Sequence, residues 1–582
     1  MNMVNVKING MDVSVPENYT ILEAAREVGI EIPTLCHMKG LNEIGACRIC
    51  VVEVKGARTL VASCVYPVSE GMEITTNSLR VQNARKNTLK LILSNHDRKC
   101  LSCVRNGSCE LQKLCHDMGV DNEGEFDGAN PRFEIDSSAP HMVRDNNKCI
   151  LCRRCVAACK AQHVAVIGAN DRGFDSSIGS PFDKPLNEMA CISCGQCIVN
   201  CPTGALYEKD DTDKIYEALA DESKTVIVQT APSIRVTLGE SFGMPIGSIV
   251  TGKMVAALRR LGFDKVFDTD YAADLTIMEE ANELLDRIQN GGVLPMMTSC
   301  SPGWIRFCEQ YHPDMLANLS TCKSPQQMFG AVLKTWYAEK NGLDPKDIVS
   351  VAVMPCTAKK FEVGRDDQDA AGVPDVDIAI TTRELARMIN RAHINFQLLP
   401  DEAFDNPLGE ASGAAVIFGA TGGVMEAALR TAVEKLEGKP LEKLEFEAVR
   451  GTDAIKEASL SVAGMDVKVA VCSGMQAAHE LMKKIKSGEA NYHFVEVMGC
   501  PGGCVNGGGQ PIQPASVRSF VDLKGIRAAA LYQDDAANSI RKSHDNPMIK
   551  AVYDEYLEAP GSHKAHHILH TTYVDRSKDY IK

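Results

Sequence analysis

Residues 149–159 read CILCRRCVAAC, four cysteines spaced C-x2-C-x2-C-x3-C, and the same spacing returns in CISCGQCIVNC at residues 191–201, followed by Pro202. This is the ligand run of a 4Fe–4S cluster, and in paired runs the fourth cysteine ligates the other cluster. The pattern therefore predicts two clusters. One is bound by Cys149, Cys152, Cys155 and Cys201, and the other by Cys191, Cys194, Cys197 and Cys159. Two complete copies are not expected by chance or from two zinc ribbons.

The length and the charge of the chain limit which domains and partners can accompany this double run. At 582 residues it is too long for one hydrophobic core, and roughly three or four domains are expected. The formal net charge is −14, which argues against nucleic acid as a partner because phosphate binding needs clustered Lys and Arg.

The amino terminus indicates the compartment. MNMVNVKING has no apolar core and no twin arginine of an export signal, and no apolar run approaches a membrane span. We therefore expect a cytoplasmic protein with no membrane partner. Cytosolic thiols stay reduced, so the 23 cysteines indicate metal sites and not a disulfide framework.

Upstream of the double run, the first module begins with alternating apolar residues on both sides of Asn9-Gly10, the pattern of a hairpin with a type I′ turn. A helix follows, with a capping box at Thr20 and Glu23 and a stop at Gly29. This order suggests a small ubiquitin-like domain. Its loops carry four thiols that suit a 2Fe–2S cluster, with structural zinc as the alternative. The four are Cys36, Cys47, Cys50 and Cys64.

A second cysteine group carries a histidine, in the pattern H-x3-C-x2-C-x5-C. One imidazole and three thiolates can hold either zinc or a 4Fe–4S cluster, and the spacing leaves both open. The ligands would be His96, Cys100, Cys103 and Cys109. Four other cysteines have no partner at ligand spacing, and we predict that they pack as buried side chains. They are Cys115, Cys308, Cys322 and Cys472.

Downstream of Cys201 the sequence pattern changes to apolar strands that alternate with helices. This pattern predicts a largely parallel sheet flanked by helices. Ligands of such sheets bind beyond the carboxyl ends of the strands. Predicted strands occupy residues 225–233, 292–300, 349–356, 414–423 and 493–500. Side chains that can bind a metal or form hydrogen bonds lie at or just after the ends of several of these strands, namely Ser233, Cys300, Cys356, Cys500 and Cys504. We expect the glycines at 502–503 and 507–509 to let the backbone approach a bulky cofactor.

Three segments of this half, TSCSPGW (298–304), MPCTAKKFE (354–362) and EVMGCPGGCVNGGGQP (496–511), resemble the signature motifs of the iron-only (FeFe) hydrogenases. The order of the accessory modules resembles the long members of that family, and the likeness covers essentially the whole chain. It implies a 4Fe–4S cluster at His96. It also implies an H-cluster, a 4Fe–4S cube joined through a cysteine to a two-iron centre that carries CO, CN⁻ and a bridging dithiolate amine.

The resemblance assigns roles in the pocket. Cys356, Cys500 and Cys504 match ligands of the cube, and Cys504 matches the thiolate that bridges to the two-iron centre. Lys359 and Ser233 match residues that hydrogen-bond cyanide, where an ammonium beside an anion forms a strong, charge-assisted bond. The remaining pocket positions match Pro232, Gln326, Met354, Phe418 and Met498; for the methionines, plain core packing is the alternative.

A proton path is expected as well. Glu280 and Glu283 lie three apart on one predicted helical face, with Arg287 four residues further, and buried carboxylates near a cation can pass protons. From the spacing alone a solvated acidic face is the alternative. The resemblance implies a relay through Arg287, Glu283, Ser320, Glu280 and Cys300.

The first motif departs from the family pattern, which has two adjacent cysteines. In this alignment Cys300 takes the relay position and Ser301 takes the position of the fourth cube ligand. Three outcomes are open. Ser301 ligates as a harder alkoxide, Cys300 turns in to ligate and leaves the relay, or the fourth iron stays labile.

The predicted architecture is α/β and α+β multidomain, in four parts. They are a ubiquitin-like (β-grasp) 2Fe–2S domain at 1–80, a His/Cys3 4Fe–4S domain at 81–125, a bacterial-ferredoxin-like domain with two 4Fe–4S clusters at 140–210, and an α/β H-cluster domain at 211–582. The expected cofactors are one 2Fe–2S cluster, three accessory 4Fe–4S clusters and the H-cluster.

The implied reaction is 2H⁺ + 2e⁻ ⇌ H₂ in an anaerobic, cytoplasmic enzyme. The glycine-rich segments lack the strand–GxGxxG–helix context of a nucleotide site, so NAD(P)H chemistry would lie on flavin-bearing partner subunits, with ferredoxin as a second partner. Alternatives are a free-standing ferredoxin-dependent hydrogenase, a non-catalytic sensor or electron-transfer scaffold, and a respiratory NADH dehydrogenase subunit.

Overall fold

The computed structural model describes residues 2–121, 126, 128 and 130–582. Its first sheet has the order β2-β1-β5-β3-β4, with β1 and β2 antiparallel and β1 and β5 parallel. Asn9 and Gly10 both have positive φ, which confirms the type I′ turn. The capping box of Thr20 and Glu23 is confirmed at the start of α1. The elements are β1 (Met3–Ile8), β2 (Met11–Pro16), α1 (Ile21–Glu27), β3 (Val51–Val54), β4 (Val61–Ala62) and β5 (Glu73–Thr75).

The next module consists of two helices, α2 (Leu79–Ser94) and α3 (Glu110–Asp117), and the loop between them. Leu89, Leu111 and Leu114 pack in its small core. The boundary predicted at residue 125 falls outside the described residues.

The double cysteine run folds as an internal repeat. In each copy the residue before the second cysteine and the residue after it have positive φ: Leu151 and Arg153 in one copy, Ser193 and Gly195 in the other. A short helix then starts and carries the third cysteine. The elements are β6 (Met142–Arg144), α4 (Arg154–Ala161), β7 (Gly168–Asn170), β8 (Ser177–Gly179), α5 (Gln196–Val199) and β9 (Leu206–Glu208).

The remainder of the chain contains eight strands in two sheets, where the sequence predicted a single one. The strands are β10 (Thr225–Thr230), β11 (Lys265–Asp268), β12 (Met296–Met297), β13 (Ile348–Met354), β14 (Ile378–Thr381), β15 (Ile455–Val462), β16 (Met465–Ser473) and β17 (Phe494–Met498). The sheet β11-β10-β13-β14 is entirely parallel. In the sheet β12-β17-β16-β15 only the β15/β16 hairpin is antiparallel.

Helices cover both sheets. They are α6 (Thr212–Ala220), α7 (Thr251–Arg260), α8 (Thr269–Asn290), α9 (Pro302–Tyr311), α10 (Pro325–Val332), α11 (Ala338–Asn341), α12 (Ala358–Glu362), α13 (Thr382–Arg391), α14 (Gly413–Val416), α15 (Gly423–Glu437), α16 (Met475–Ser487), α17 (Ala515–Arg518), α18 (Leu523–Ala537), α19 (Pro547–Val552) and α20 (His563–Leu569). The strand predicted at 414–423 is wrong. That segment is α14 and a 3-10 turn buried against α18, and a short apolar run does not distinguish a buried helix from a buried strand.

The four unassigned cysteines, Cys115, Cys308, Cys322 and Cys472, are buried in hydrophobic clusters as predicted. Among the described residues, no helix combines the length and the apolar character needed to cross a membrane.

Candidate active site and cluster sites

A buried pocket lies where the carboxyl ends of the strands of both sheets meet. It is lined by every residue predicted for the catalytic pocket, and these residues come from segments up to 272 positions apart in sequence. These are Pro232, Ser233, Cys300, Ser301, Gln326, Met354, Cys356, Lys359, Phe418, Met498, Cys500 and Cys504. Most follow directly on β10, β12, β13 or β17, the position at which parallel sheets bind ligands.

Three thiols of this pocket converge in a nearly dry environment. Burial raises the pKa of Cys356, Cys500 and Cys504, that of Cys504 to about 12, and the negative charge of a Cys356 thiolate adds to the rise at Cys500 and Cys504. Such thiols ionise only when a cation compensates the charge, as a bound metal does. The donor set therefore fits an iron–sulfur ligand role.

Ser301 lies on the wall of the same pocket, at the N-cap of α9. Its Oγ accepts a hydrogen bond from the backbone N–H of Gly499, 3.1 Å away, next to Cys500. A Cβ at Gly499 would lie 2.7 Å from Ser301 Oγ, so only glycine permits this approach.

Lys359 is held by groups that the sequence reasoning missed. Its Nζ donates to Glu362 Oε2 (2.9 Å), Ser324 Oγ (2.7 Å) and the carbonyl of Cys300 (3.3 Å). Glu362 also accepts from Gln326 Nε2 at 3.0 Å, and Gln326 Oε1 is buried without a hydrogen-bond partner among the described residues. The i,i+3 spacing of Lys359 and Glu362 in MPCTAKKFE was a signal for this pair.

Ser233 has a partner that no sequence signal indicated. Gln510 Nε2 donates to Ser233 Oγ (3.1 Å) and to the carbonyl of Cys504 (3.0 Å), and so connects two sides of the pocket.

The five predicted relay residues lie in one region, and three of them are directly connected. Arg287 Nη2 donates to Glu283 Oε1 at 2.6 Å, and Ser320 Oγ donates to Glu283 Oε2 at 2.9 Å. Glu280 is 1% exposed and neither carboxyl oxygen has a hydrogen-bond partner in the described part of the chain. Burial, followed by the charge of Glu283, raises the pKa of Glu280 to about 8; burial and then Glu280 raise that of Cys300.

The four thiols of the first domain approach each other in pairs. The Sγ atoms of Cys50 and Cys64 are 3.3 Å apart, and the backbone N–H of Cys47 donates to Cys36 Sγ at 3.4 Å. A separate side-chain hydrogen bond from the thiol of Cys36 lowers the pKa of the Cys47 thiol to about 6, which favours the thiolate form that binds metal.

The predicted ligands of the second group, His96, Cys100, Cys103 and Cys109, line one cavity of about 300 Å³. Burial lowers the pKa of His96 to about 4, and its Nδ1 has no hydrogen-bond partner among the described residues. A Cβ at Gly204 would lie 2.5 Å from Cys103 Sγ. A neutral, unpartnered imidazole beside three thiols fits a metal site.

The double run places its thiols in the two crossed sets that the spacing predicts. Cys149, Cys152, Cys155 and Cys201 line one small cavity. On the other side, the thiols of Cys191, Cys194 and Cys159 are close enough to Cys197 to raise its pKa, after the larger effect of burial.

Direct contacts connect the sites of the three N-terminal modules. Asn42 Nδ2 donates to the carbonyls of Cys36 (2.7 Å) and Cys152 (3.0 Å), which joins the first site to the double run. The N–H of Glu110 donates to the carbonyl of Pro202 at 3.0 Å, which joins the histidine-containing site to the same place. Two branches therefore meet at the first cavity of the double run.

The second half of the double run packs against the catalytic pocket. Gln196 Nε2 donates to the carbonyl of Asn506 (3.0 Å) and Thr357 Oγ1 donates to that of Ser193 (2.7 Å). A Cβ at Gly508 would lie 2.2 Å from the carbonyl oxygen of Cys194. Glycine at this position therefore allows two backbones to pack together, and its approach to a cofactor stays a prediction.

Comparison with known families gives matches along most of the chain. The model for "Iron only hydrogenase large subunit, C-terminal domain" matches residues 224–508, and that for "Iron hydrogenase small subunit" matches 522–576. A 2Fe-2S iron-sulfur cluster binding domain matches 1–79, the NADH-ubiquinone oxidoreductase-G iron-sulfur binding region matches 85–123, and a 4Fe-4S dicluster domain matches 148–205.

Individual relatives match over full length. The NADP-reducing hydrogenase subunit HndD of Solidesulfovibrio fructosivorans is 48% identical over 99% of this chain and 100% of its own. Iron hydrogenase 1 of Clostridium pasteurianum is 45% identical over 98% and 100%. Among solved structures, [FeFe]-hydrogenase HydA1 of Chlamydomonas reinhardtii is 43% identical, with a TM-score of 0.56 over 62% of this chain and 98% of that one.

Proposed function

This chain belongs to the iron-only (FeFe) hydrogenase family as a catalytic subunit for 2H⁺ + 2e⁻ ⇌ H₂, and we propose that it works within a multisubunit complex that exchanges electrons with NAD(P)H on a partner subunit. The full-length similarity to an NADP-reducing hydrogenase subunit supports NAD(P) as the electron acceptor of the complex. The sequence has no recognisable nucleotide-binding motif, which supports assigning NAD(P) chemistry to another polypeptide.

The single observation that carries the catalytic assignment is the pocket itself. Twelve predicted residues from widely separated segments line one buried cavity, which packing alone does not require. When bound, the H-cluster supplies the low-valent iron at which protons and electrons combine. Cys356, Cys500 and Cys504 would hold it, and Cys504 would bridge to the two-iron centre.

We assign the fourth position on the cube to Ser301. Its Oγ lies on the pocket wall, and the N–H of Gly499 points at it, a contact that stabilises an anionic oxygen. Cys300 thereby stays available for protons. Lys359 and Ser233 are the donors for anionic ligands of the two-iron centre, and Glu362 and Gln510 orient them.

The proton carriers are the relay residues. Glu283 accepts protons at the outer end of the relay, and Ser320 donates a hydrogen bond to one of its carboxylate oxygens. Glu280 is the last carboxyl before Cys300. A carboxyl with a pKa of about 8 binds and releases protons at neutral pH with little free-energy change, which suits a carrier in either direction.

The accessory sites receive the electrons. We propose one 2Fe–2S cluster, a 4Fe–4S cluster at His96 and its cysteines, and two clusters in the double run, about 20 irons per chain with the H-cluster. Their loops contact each other in a branched order that ends at the catalytic pocket. A branched entry suits two electron partners, which favours a flavin-bearing subunit together with ferredoxin.

We retain the domain limits 1–80, 81–125, 140–210 and 211–582, with a ubiquitin-like (β-grasp) first domain supported by its mixed sheet and helix. Cytoplasmic location, and the absence of nucleic-acid and membrane partners, stay predictions from the sequence.

The test uses protein with a matured H-cluster. We expect hydrogen evolution from reduced methyl viologen by the chain alone, and hydrogen-dependent NAD(P)⁺ reduction only when flavin-bearing partner subunits are added. Turnover with reduced ferredoxin alone, equal to that with partners, would favour the free-standing enzyme. No gas, with intact infrared bands of CO and CN⁻, would favour a sensor.

A further inference from the structure

Arg287 occupies the outer end of the proposed relay, where a group that gives up protons readily is expected. Glu283 is held by Arg287, but a guanidinium does not release its proton in proteins. Arg287 can orient Glu283 and attract anions; it is unsuited to hand over a proton. A group that titrates near neutral pH is needed beside Glu283.

His570, which directly follows α20, lies on the other side of Glu283. One donor or acceptor atom of each of Glu283, Cys322 and His570 lies within 4.8 Å of the others. His570 Nδ1 is 2.7 Å from Thr321 Oγ1, and the backbone N–H of Thr321 donates to Glu283 Oε2 at 3.1 Å. His570 itself is 7% exposed.

The second ring nitrogen of His570 is fixed by a carboxylate. Nε2 lies 3.2 Å from Glu279 Oε2, and Glu279 Oε1 accepts from Tyr553 Oη at 2.5 Å. With Nε2–H committed to Glu279, Nδ1 is the nitrogen that gains and loses a proton, facing Thr321 and Glu283.

Solvent reaches this imidazole through a second one. The ring of His566, which is exposed, stacks on that of His570 with 4.4 Å between centroids and 13° between planes. Imidazole is the side chain whose ordinary titration falls near neutral pH. The two rings therefore connect the surface to the half-buried carboxylate of Glu283.

We propose that His570 exchanges protons with Glu283 and that His566 is its contact with solvent. The inference rests on the proposed function, because it supplies the entrance of that relay. In the step, Nδ1 of the imidazolium loses the proton that a Glu283 oxygen gains, directly or across the Thr321 hydroxyl. The neutral ring then takes a proton from His566 or water. One proton moves, no electron is transferred, and the direction reverses in hydrogen oxidation.

Other charged and titratable groups lie near His570 and will affect the pH dependence of proton transfer through it. They are Glu279 and Glu283 of α8, Arg287 bound to Glu283, Cys322, Tyr553 and His566.

The experiment compares His570→Gln, His570→Ala and the neighbouring His567→Ala, whose exposed side chain serves as the matched control. Hydrogen evolution with reduced methyl viologen is measured between about pH 6 and about pH 8, with and without added imidazole. We expect His570→Gln to lose roughly 10- to 100-fold, imidazole to restore part of the loss in His570→Ala, and His567→Ala to match the wild type.

A second readout does not depend on turnover. Protein lacking the two-iron centre is titrated while the infrared C=O stretch of protonated carboxyls is followed, and Glu283→Gln identifies the Glu283 band. His570→Gln should move the midpoint of that band, because two interacting sites titrate as a pair. Iron content and thermal midpoint show whether His570→Gln is folded.

The outcomes separate this inference from the proposed function. If matured wild-type protein makes no hydrogen, the function itself fails. If the wild type is active and His570→Gln equals His567→Ala at every pH, His570 carries no protons. Loss of activity without imidazole rescue and with an unmoved Glu283 band would mean that His570 only supports the structure.

Discussion

The cysteine sites of the first 210 residues and the catalytic pocket hold the same kind of cofactor in opposite ways. Within the double run, three ligands of each cluster lie three positions apart and converge when one loop forms, and only the fourth comes from the other copy. The pocket brings Ser233 and Cys504 together from positions 271 residues apart, on the ends of different strands. Losing one ligand is thus a local event in the first region, and it affects several elements of the fold in the second.

We expect the largest difference between the catalytic pocket and the double run when Cys504→Ala is compared with Cys152→Ala. The first should abolish turnover and lower the iron content from about 20 to about 14 per chain, and the second should leave about 16. Activity of Cys152→Ala with reduced methyl viologen should persist, because the pocket is intact. Iron analysis and gas chromatography measure both, and loss of the accessory iron in Cys504→Ala would contradict the independence of the two regions.

Cys300→Ala tests whether the pocket has a proton carrier apart from its ligands. Turnover should fall roughly 10²- to 10⁴-fold while the CO and CN⁻ infrared bands stay unchanged. A loss of those bands would show that Cys300 holds the cluster. Cys308→Ala, which removes a buried thiol that belongs to no proposed ligand set, is the matched control.

Glu280→Gln tests the buried carboxyl between Cys300 and Glu283. The amide cannot carry a proton, so turnover should fall roughly 100-fold at pH 7. The raised pKa also affects stability: from the ordinary value of 4.5 up to about 8, the folded state binds more protons than the unfolded state. The wild type therefore loses stability as pH rises through that window, and the variant should not. Parallel thermal midpoints for both proteins across it would contradict the shift.

Gly508→Ala addresses the contact between the two regions. Its Cβ would meet the carbonyl of Cys194, so the double run and the pocket loop must separate, at a cost of about 1–3 kcal/mol in unfolding free energy. Turnover with the partner subunits should drop further than turnover with reduced methyl viologen. Gly168→Ala, which like Gly508→Ala is not at a positive φ but has open space around its Cβ, is the matched control. An equal drop in both assays would argue against this contact as the electron route.

The smallest effect is expected from Ser301. Ser301→Ala removes the proposed fourth ligand of the cube together with its hydrogen bond from the N–H of Gly499, which contributes about 1 kcal/mol, and should alter the paramagnetic resonance of the reduced cube. Ser301→Cys should restore a thiolate and shift the reduction potential of the cube. Spectra of Ser301→Ala that match the wild type would remove Ser301 from the ligand set.

Most of the local structure followed from short patterns. The Asn9-Gly10 turn, the Thr20/Glu23 cap and the repeated cysteine loops are encoded by residues within a few positions of each other. The failures were of longer range. Residues 414–423 read as a strand because their apolar run has no period, and the single predicted sheet proved to be two.

The sequence by itself determined the chemical inventory of this protein, because thiols at ligand spacing and three signature motifs do not depend on the path of the chain. Only the tertiary structure decided which groups assist them. Ser324 beside Lys359, Gln510 beside Ser233, Gly508 against Cys194 and His570 beside Glu283 are contacts between segments that are distant in sequence. Such contacts arise when helices and sheets bury their apolar faces, and no local pattern records which side chains that burial brings together.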